Sequence, residues 1–336
     1  MIKVKVLLTS VGRRAYLVKY FKDTDGVEEV HIANSDPYSV AFKYADKSVI
    51  SPLIYDPNYI PFLLDYCKNH RIDIVISLFD IDLPILASNK EKFEKIGTRV
   101  IVSAPEWIEI CNDKWKTYLY LKENGFNVPR TYLNLQSVLS AVSEGELQYP
   151  IIVKPRFGCG SISLSVAEDE ESLYYLYNQA VRIVNRSYLK YESAEEDDKI
   201  IFQECLQGQE YGADIINDLD GCFINAIVKK KIAMRAGETD IAELCNPPEI
   251  VAAAQRLGSL SGHIANLDCD LFLVDNKAYV LEMNARFGGG YPFSHMGGCN
   301  LPQAIINWCQ GKKVDDLMLT ARTGICGYKE LYITEF

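Results

Sequence analysis

The chain has 336 residues, enough for two or three modest domains with buried cores, and an ordinary globular composition of 48% hydrophobic and 24% charged residues. Its net charge of −10 argues against a nucleic-acid partner, which needs clustered Lys and Arg; the one basic run is Lys229-Lys230-Lys231. No apolar run approaches the ~20 residues of a membrane span, and the ten cysteines are scattered without CxxC pairs or zinc spacing, so they are expected to be buried apolar residues.

From the start, KVKVLLTS reads as a first strand rather than a leader. Its apolar part is brief and no small-residue cleavage site follows, so a cytoplasmic protein is expected. RAYLVKYFKD predicts a helix, EEVHIANS a strand, PNYIPFLLDYCKNH a helix, and DIVISLFD and TRVIVSA two further strands. This alternation over residues 1–106 predicts a parallel sheet covered by helices. The first turn, SVGRRAY, holds Gly12 where a dinucleotide fold needs three glycines, so NAD binding there is not expected. Arg13 and Arg14 at that turn read equally as an anion site or as two solvated arginines.

Residues 107–206 form a second segment. CNDKWKTYLYLKENG predicts a helix with Asn112 or Asp113 as its cap and Lys114 at its start. A helix (SVLSAVSEGEL), a strand (YPIIVKP), a glycine-bearing loop (RFGCGS), a helix (ESLYYLYNQAVRIV) and a strand (IIFQECL) follow. Lys154 ends the first of these strands. Gly158, Gly160 and Ser161 can present N–H donors to phosphate oxygens, and the lysine adds a point charge; the alternative is an ordinary glycine hairpin. The peptide of Glu204, Cys205 and Leu206 can read adenine through its backbone, and Glu210 can hold ribose hydroxyls.

Residues 207–336 make a third segment with strands EYGADIIND and GCFINAIVKKK joined at a DLDG turn, a helix (PPEIVAAAQRLGSLSG), a strand pair (DCDLFLVD, KAYVLEMNAR) and a terminal helix (NLPQAIINWCQG). In VLEMNAR, alternation sends Glu282, Asn284 and Arg286 to one face and Leu281, Met283 and Ala285 to the core. Glu282 and Asn284 then stand roughly 7 Å apart, with oxygen donors suited to Mg²⁺ or Mn²⁺. A three-residue hairpin loop, 275–277, would set Asp270 opposite Glu282 and add it to the metal face; a two-residue loop would set Cys269 there. The three-residue loop is preferred because it unites the two acids. Gly288 and Gly289, in a run of three glycines, let a ligand approach closely. Residues 234–240 read as a loop on the acceptor side, where Arg235 can bind a carboxylate or transferred phosphate and Glu238 or Asp240 an amino group; the alternative is a charged surface loop. His295 is a substrate contact or, as a lone histidine more often is, structural.

The order Lys114, Lys154 with its glycine loop, Glu204…Glu210, Asp270 and Glu282-x-Asn284 resembles the ATP-grasp superfamily. Within it, the chain resembles the ATP-binding half of the carbamoyl-phosphate synthetase large subunit, with kinship to biotin carboxylase. The resemblance covers almost the whole chain. It implies an α/β and α+β protein: an N-terminal Rossmann-like pre-ATP-grasp domain (1–106), a helical linker with a small mobile lid (107–206), and a C-terminal mixed α+β domain with the metal site (207–336). It further implies ATP with Mg²⁺ (or Mn²⁺), Lys114 and Lys154 on the α- and β-phosphates, Glu210 on the ribose, and Asp270, Glu282 and Asn284 on the cations. Arg286 would meet the γ-phosphate or the carboxylate being activated, with Arg235 the other catalytic candidate. The implied reaction is a small-molecule carboxylate–amine (or carboxylate–thiol) ligation through an acyl phosphate, with a small-molecule kinase or a non-catalytic nucleotide sensor as alternatives. Biotin carboxylases continue past the arginine with Gln-Val-Glu-His, whereas this chain has Phe-Gly-Gly-Gly, which argues against bicarbonate and biotin. Only one ATP unit is present, which argues against complete carbamoyl-phosphate synthesis. No nucleic-acid or membrane partner is implied; relatives are often homodimers, and the oligomeric state stays open.

Overall fold

A computed structural model of the chain describes residues 3–158, 160 and 162–335. The chain opens with parallel strands β1 (Val4–Thr9), β2 (Val27–Asn34), β3 (Lys47–Ile50), β4 (Ile74–Ser77) and β5 (Arg99–Val100), in the spatial order β3-β2-β1-β4-β5. Helices α1 (Ala15–Lys22), α2 (Tyr59–His70) and α3 (Asp82–Glu94) cross between them. Every residue of β4 is buried, as its unbroken apolar run predicts for a strand covered on both faces. The predicted TRVIVSA strand is only two residues long, because the chain turns into α4 (Pro105–Asn112) after pairing with β4. Strand order reverses direction at β1 and β4, and a ligand crevice forms beyond the carboxyl ends of strands at such a point.

A buried carboxylate fixes that crevice. Asp82 accepts hydrogen bonds from Thr9 (2.5 Å), Ser77 (2.8 Å), Tyr59 (2.8 Å) and Ser10 (3.2 Å). Hydroxyls from both strand ends thus converge on one group, and burial raises its pKa against their pull. The turn carrying Arg13 and Arg14 leaves the sheet directly from this knot.

The expected helix starts at Lys114 with Asp113 as its cap, and Cys111 and Asn112 belong to the preceding α4. Asp113 is extended (φ −103°, ψ 106°), which ends α4 and starts α5 (Lys114–Glu123), and its side chain accepts from the Trp115 and Lys116 amides. The same carboxylate holds Arg156 in two hydrogen bonds of 2.8 and 2.7 Å, both groups buried. Arg156 opens the glycine loop, so this pair ties the loop's root to the start of α5.

A four-stranded antiparallel sheet follows: β6 (Thr131–Tyr132), β7 (Ile151–Pro155), β8 (Ser165–Ala167) and β9 (Ile200–Glu204), ordered β6-β9-β7-β8. Helices α6 (Leu135–Ser143), α7 (Glu170–Arg186) and the short α8 (Leu189–Glu192) belong to it. Asp169 and Ser172 form a reciprocal cap at the start of α7. This unit has its own core, built around Val138, Ile151, Val184 and Phe202.

The last sheet has six strands, ordered β14-β13-β10-β11-β12-β15. These are β10 (Gln209–Asn217), β11 (Phe223–Arg235), β12 (Glu238–Leu244), β13 (Ala265–Val274), β14 (Lys277–Asn284) and β15 (Cys326–Tyr328); helices α9 (Pro248–Ser261), α10 (Tyr291–Gly297) and α11 (Leu301–Cys309) pack around them. One continuous core runs from Leu7, Val75 and Trp107 of the N-terminal half to Leu267 and Met283. A second runs from Leu8 and Phe21 to Phe287, Tyr291 and Ile305. The parallel and six-stranded sheets are therefore cemented together on two sides, while the four-stranded unit keeps a separate core. Gly208 lies between that unit and β10: a Cβ there would stand 2.4 Å from the Leu273 carbonyl oxygen, so the crossing admits only glycine.

Asp113→Ala removes a helix cap and the bidentate partner of a buried arginine, and is expected to destabilise the fold by about 2–4 kcal/mol. Denaturant midpoints at neutral pH measure this, and Asp113→Asn, which keeps the cap, should lose less.

Candidate active site

The three sheets enclose a cleft of about 650 Å³. Its floor is the face of the six-stranded sheet carrying Glu210, Lys231, Asp268, Asp270, Glu282 and Asn284; its roof is Ile152, Lys154, Gly160, Ile162 and Leu164 of the four-stranded unit. Cys205 and Leu206 close one end, and residues 10–14 with Leu78 and Phe79 close the other.

The floor depends on strand register. Asp270 pairs with Glu282 and Asp268 with Asn284, as two acids on a shared face require. The route differs from the three-residue loop that the sequence favoured. Val274 pairs with Lys277 across a two-residue turn in which Asp275 (φ 47°) and Asn276 (φ 58°) are both left-handed, a type I′ hairpin. An extra residue, Leu281, then bulges between the Val280 and Glu282 pairs and restores the register. The bulge also turns Leu281 into the cleft, away from the core side expected for it.

Each floor acid has a cation beside it. Lys231 lies 2.6 Å from Asp270 and 2.7 Å from Glu210, joining the expected metal and ribose residues through one ammonium. Burial pushes the Asp270 carboxyl up against the pull of Lys231. Lys114 reaches Glu282 at 3.8 Å and donates to the Gly158 carbonyl. Lys154 is buried, donates to Gln203 at 2.9 Å and is pushed down to about 8 by burial, with Glu282 pulling the other way. Arg286 is clamped between Asp80 (2.9 and 3.0 Å), at the end of β4, and Asp268 (2.7 Å). Beneath Gly290, a buried knot joins Lys229, Asp214, Ser294 and Asn266.

Other expected residues sit differently. The Glu204 carboxylate accepts from the Arg130 amide at 3.1 Å, while Glu204, Cys205 and Leu206 line the cleft. Ser161 lies outside the described residues. Residues 234–240 are not a loop but a hairpin turning on Ala236 and Gly237, both at positive φ. Arg235 pairs with Asp240 and donates to the Lys329 carbonyl at 2.7 Å, so neither side chain lines the cleft; Glu238 does. His295 stacks on Tyr20, with ring centroids 3.7 Å apart, and packs α10 onto α1, so it is structural. Gly289 lines the cleft, whereas Gly288 makes room for Asp268. Asp80, Asp268, Lys231 and Arg156 were not singled out by the sequence. Asp268 was the legible one, since alternation places it with Asp270 on the cleft face.

The donor set fits a hard divalent cation: Asp270, Glu282 and Asn284 offer oxygens alone. Among the described residues no group of three His, Cys, Asp or Glu could hold a metal by itself. Two carboxylates with an amide are what Mg²⁺ takes when substrate phosphates and waters complete its shell.

Two antiparallel sheets closing on a cleft, mounted on a parallel N-terminal sheet, define an α/β grasp architecture. The chain belongs to the ATP-grasp family: residues 111–290, more than half of it, match the ATP-grasp domain, and residues 6–101 match the PylC-like, N-terminal domain. Over 306 residues it is 21% identical to the carbamoyl phosphate synthase large chain of Pseudothermotoga lettingae, covering 87% of this chain and 26% of that protein. The chain thus spans about a quarter of the length of such curated relatives. In structure it is similar to the biotin carboxylase domain of Hydrogenobacter thermophilus 2-oxoglutarate carboxylase, solved with MgADP, ADP and bicarbonate (TM-score 0.74, 15% identity, 97% of this chain and 74% of that one). It is also similar to an L-amino acid ligase from Bacillus licheniformis (TM-score 0.71, 17% identity, 95% and 79%). The expected fold class is borne out. Among the described residues no helix is long and apolar enough to cross a membrane.

A Cβ on Gly288 would lie 2.1 Å from the Asp268 carboxyl. Gly288→Ala therefore displaces Asp268 from Arg286 and is expected to destabilise the fold by about 1–3 kcal/mol, read by chemical denaturation.

Proposed function

We propose that the protein is an ATP-dependent ligase that joins a small-molecule carboxylate to an amine through an acyl phosphate, releasing ADP and phosphate. The observation that carries this reading is the pairing of Asp270 with Glu282, with Asn284 beyond, in a cleft that Lys154 roofs from a separately cored unit and beside Lys114, which stands 3.8 Å from Glu282. Adenine would lie between the apolar roof (Ile152, Ile162, Leu164) and the floor residues Phe272 and Leu281, against the peptide at 204–206. Lys114 and Lys154 would meet the α- and β-phosphates. Glu210 would exchange part of its hold on Lys231 for the ribose. Asp270, Glu282 and Asn284 would hold Mg²⁺, or Mn²⁺ in its place; when bound, the cation neutralises charge on the phosphate oxygens.

Arg286 is presented rigidly, because Asp80 and Asp268 hold its guanidinium from two sides. It would steady the γ-phosphate or the carboxylate that attacks it. In that attack the carboxylate oxygen bonds to the γ-phosphorus and the bond to ADP breaks. The amine nitrogen then bonds to the acyl carbon, phosphate departs with its oxygen, and the amine sheds a proton. The protein's part is positioning, cationic stabilisation and exclusion of the water that would hydrolyse the acyl phosphate. Cytoplasmic location and a homodimeric state accord with this reading and enter it as expectations.

Phosphate release from MgATP, screened over carboxylate–amine pairs, should need both partners and fall by about 100-fold or more in Glu282→Gln. Transfer of phosphate to a hydroxyl without its release would make the protein a kinase instead.

Lys154 gives the nucleotide site a pH signature. Its ammonium is present below about pH 8 and is lost as pH rises through that value. Phosphates favour the charged form, so MgADP binding should take up protons near pH 8 and weaken above it. Calorimetry in buffers of differing ionisation enthalpy reads the uptake, which Lys154→Met should abolish.

A further inference from the structure

The end of the cleft away from the hinge is built from the turn after β1, the β11–β12 hairpin and the C-terminal tail. Arg14 donates to the Leu78 carbonyl and, at 3.0 Å, to the Phe287 carbonyl, one residue past Arg286, and lies 3.5 Å from Glu238. Lys329 arrives just beyond β15, 3.4 Å from Glu238 and donating to the Gly289 carbonyl at 2.6 Å. Arg13 is exposed over the cleft, with a single long contact, 3.4 Å, to the Ala236 carbonyl. Three cations therefore surround the one carboxylate of Glu238. Burial alone would raise that carboxyl, but Arg14, Lys329 and Arg13 hold it below its usual range. The neighbouring acids Asp80 and Asp268 are engaged by Arg286, and Asp240 by Arg235. The Tyr16 hydroxyl is buried beside the cluster with no hydrogen-bond partner among the described residues, and Arg14, Glu238 and Arg286 all act on it electrostatically.

Lys329 is held there by design of the fold rather than by chance of a tail. Its amide donates to the Asp240 carbonyl at 3.0 Å and its carbonyl accepts from Arg235. Arg235 and Asp240, expected to bind substrate themselves, instead fix the segment that carries the lysine.

We propose that this cluster binds an anionic group on the substrate that is remote from the carboxylate being activated, so that the ligase acts on a dianionic small molecule. Arg13 is the direct contact, Arg14 lines the cleft beside it, and Lys329 adds its charge from behind Glu238. The remote anion is a second carboxylate or a phosphate; both satisfy the same cations. The inference rests on the nucleotide reading above only for which carboxylate is activated.

The test is calorimetric titration of the full chain, without nucleotide, with glutamate, succinate and O-phosphoserine against alanine and butyrate. Ligands with two acid groups should bind about tenfold or more tightly than those with one, and Arg13→Ala should remove about that factor for the former alone, with partial rescue in Arg13→Lys. Preference for O-phosphoserine over glutamate, or the reverse, identifies the remote group. Ligands with two acid groups that bind no better than those with one, that bind equally to Arg13→Ala, or that fail to bind at all overturn the proposal. MgADP titrated in parallel separates the two readings. Loss of MgADP affinity in Arg13→Ala would assign the arginine to the nucleotide and also overturn it. If MgADP does not bind the unaltered chain, the nucleotide reading falls and the anion result stands by itself.

Discussion

The pairing of β13 with β14 governs the rest of the site. Strand side chains alternate with a period of two, so a slip of one residue would send Asp270 or Glu282 into the core. The type I′ turn alone would commit that error. With Val274 paired to Lys277, unbroken pairing would set Cys269 against Glu282 and bury the acid's partner. The bulge at Leu281 absorbs one residue, after which Asp270 meets Glu282 and Asp268 meets Asn284. Turn and bulge are thus two halves of one device, and each makes sense only with the other. The bulge also delivers Leu281 to the cleft, where an apolar side chain beside the acids suits a ligand with both a flat apolar part and a charged one.

Buried charge organises the surroundings of that pair. Lys231 between Asp270 and Glu210, Arg286 between Asp80 and Asp268, and Arg156 on Asp113 are cations held by carboxylates from other elements of the fold. An unpaired charge at such depth would be destabilising by several kcal/mol. Pairing across elements therefore makes each element's position a condition of the others' stability. The Arg286–Asp80 contact spans 206 residues of sequence and joins the end of a parallel strand to the end of an antiparallel one. Lys154 is the contrast: among the described residues it has only an amide oxygen within hydrogen-bond distance, and burial depresses its pKa.

Much of the fold was legible because its signals are local. The unbroken apolar run at Ile74 to Ile76, the β-α alternation of the first hundred residues and the acid–amide alternation at Glu282 and Asn284 each follow from side-chain period. What escaped is what depends on distant partners. The KSVI segment is too short to announce β3, and although Asp113 reads as a helix cap, nothing near it shows that its carboxylate also holds Arg156. The hairpin parity gave the right partner for Glu282 from the wrong loop, because a bulge leaves no mark in a pattern of apolar residues. Arg235 and Asp240 read as substrate groups because they are charged and close to a turn. Pairing with each other and with the tail strand settles them away from the cleft, and the sequence gives no sign of a tail 90 residues on. His295 obeys the ordinary fate of a lone histidine and stacks on a tyrosine.

The separate core of the four-stranded unit completes the physical picture. The parallel and six-stranded sheets share two continuous apolar cores, whereas the roof meets them through two chain crossings, polar contacts and the aromatic pairs Tyr55–Tyr191 and Phe79–Tyr188. Apolar cores resist relative motion because separation exposes surface to water. Hydrogen bonds such as Tyr55 to Glu192 (2.6 Å) and the Asp113–Arg156 pair resist it far less once water can replace a partner. The root of the glycine loop is nevertheless pinned by Arg156, and Gly208 leaves the opposite crossing no side chain to swing. The four-stranded unit, which carries Lys154, is thereby tied to the rest of the chain at these two points while keeping a core of its own.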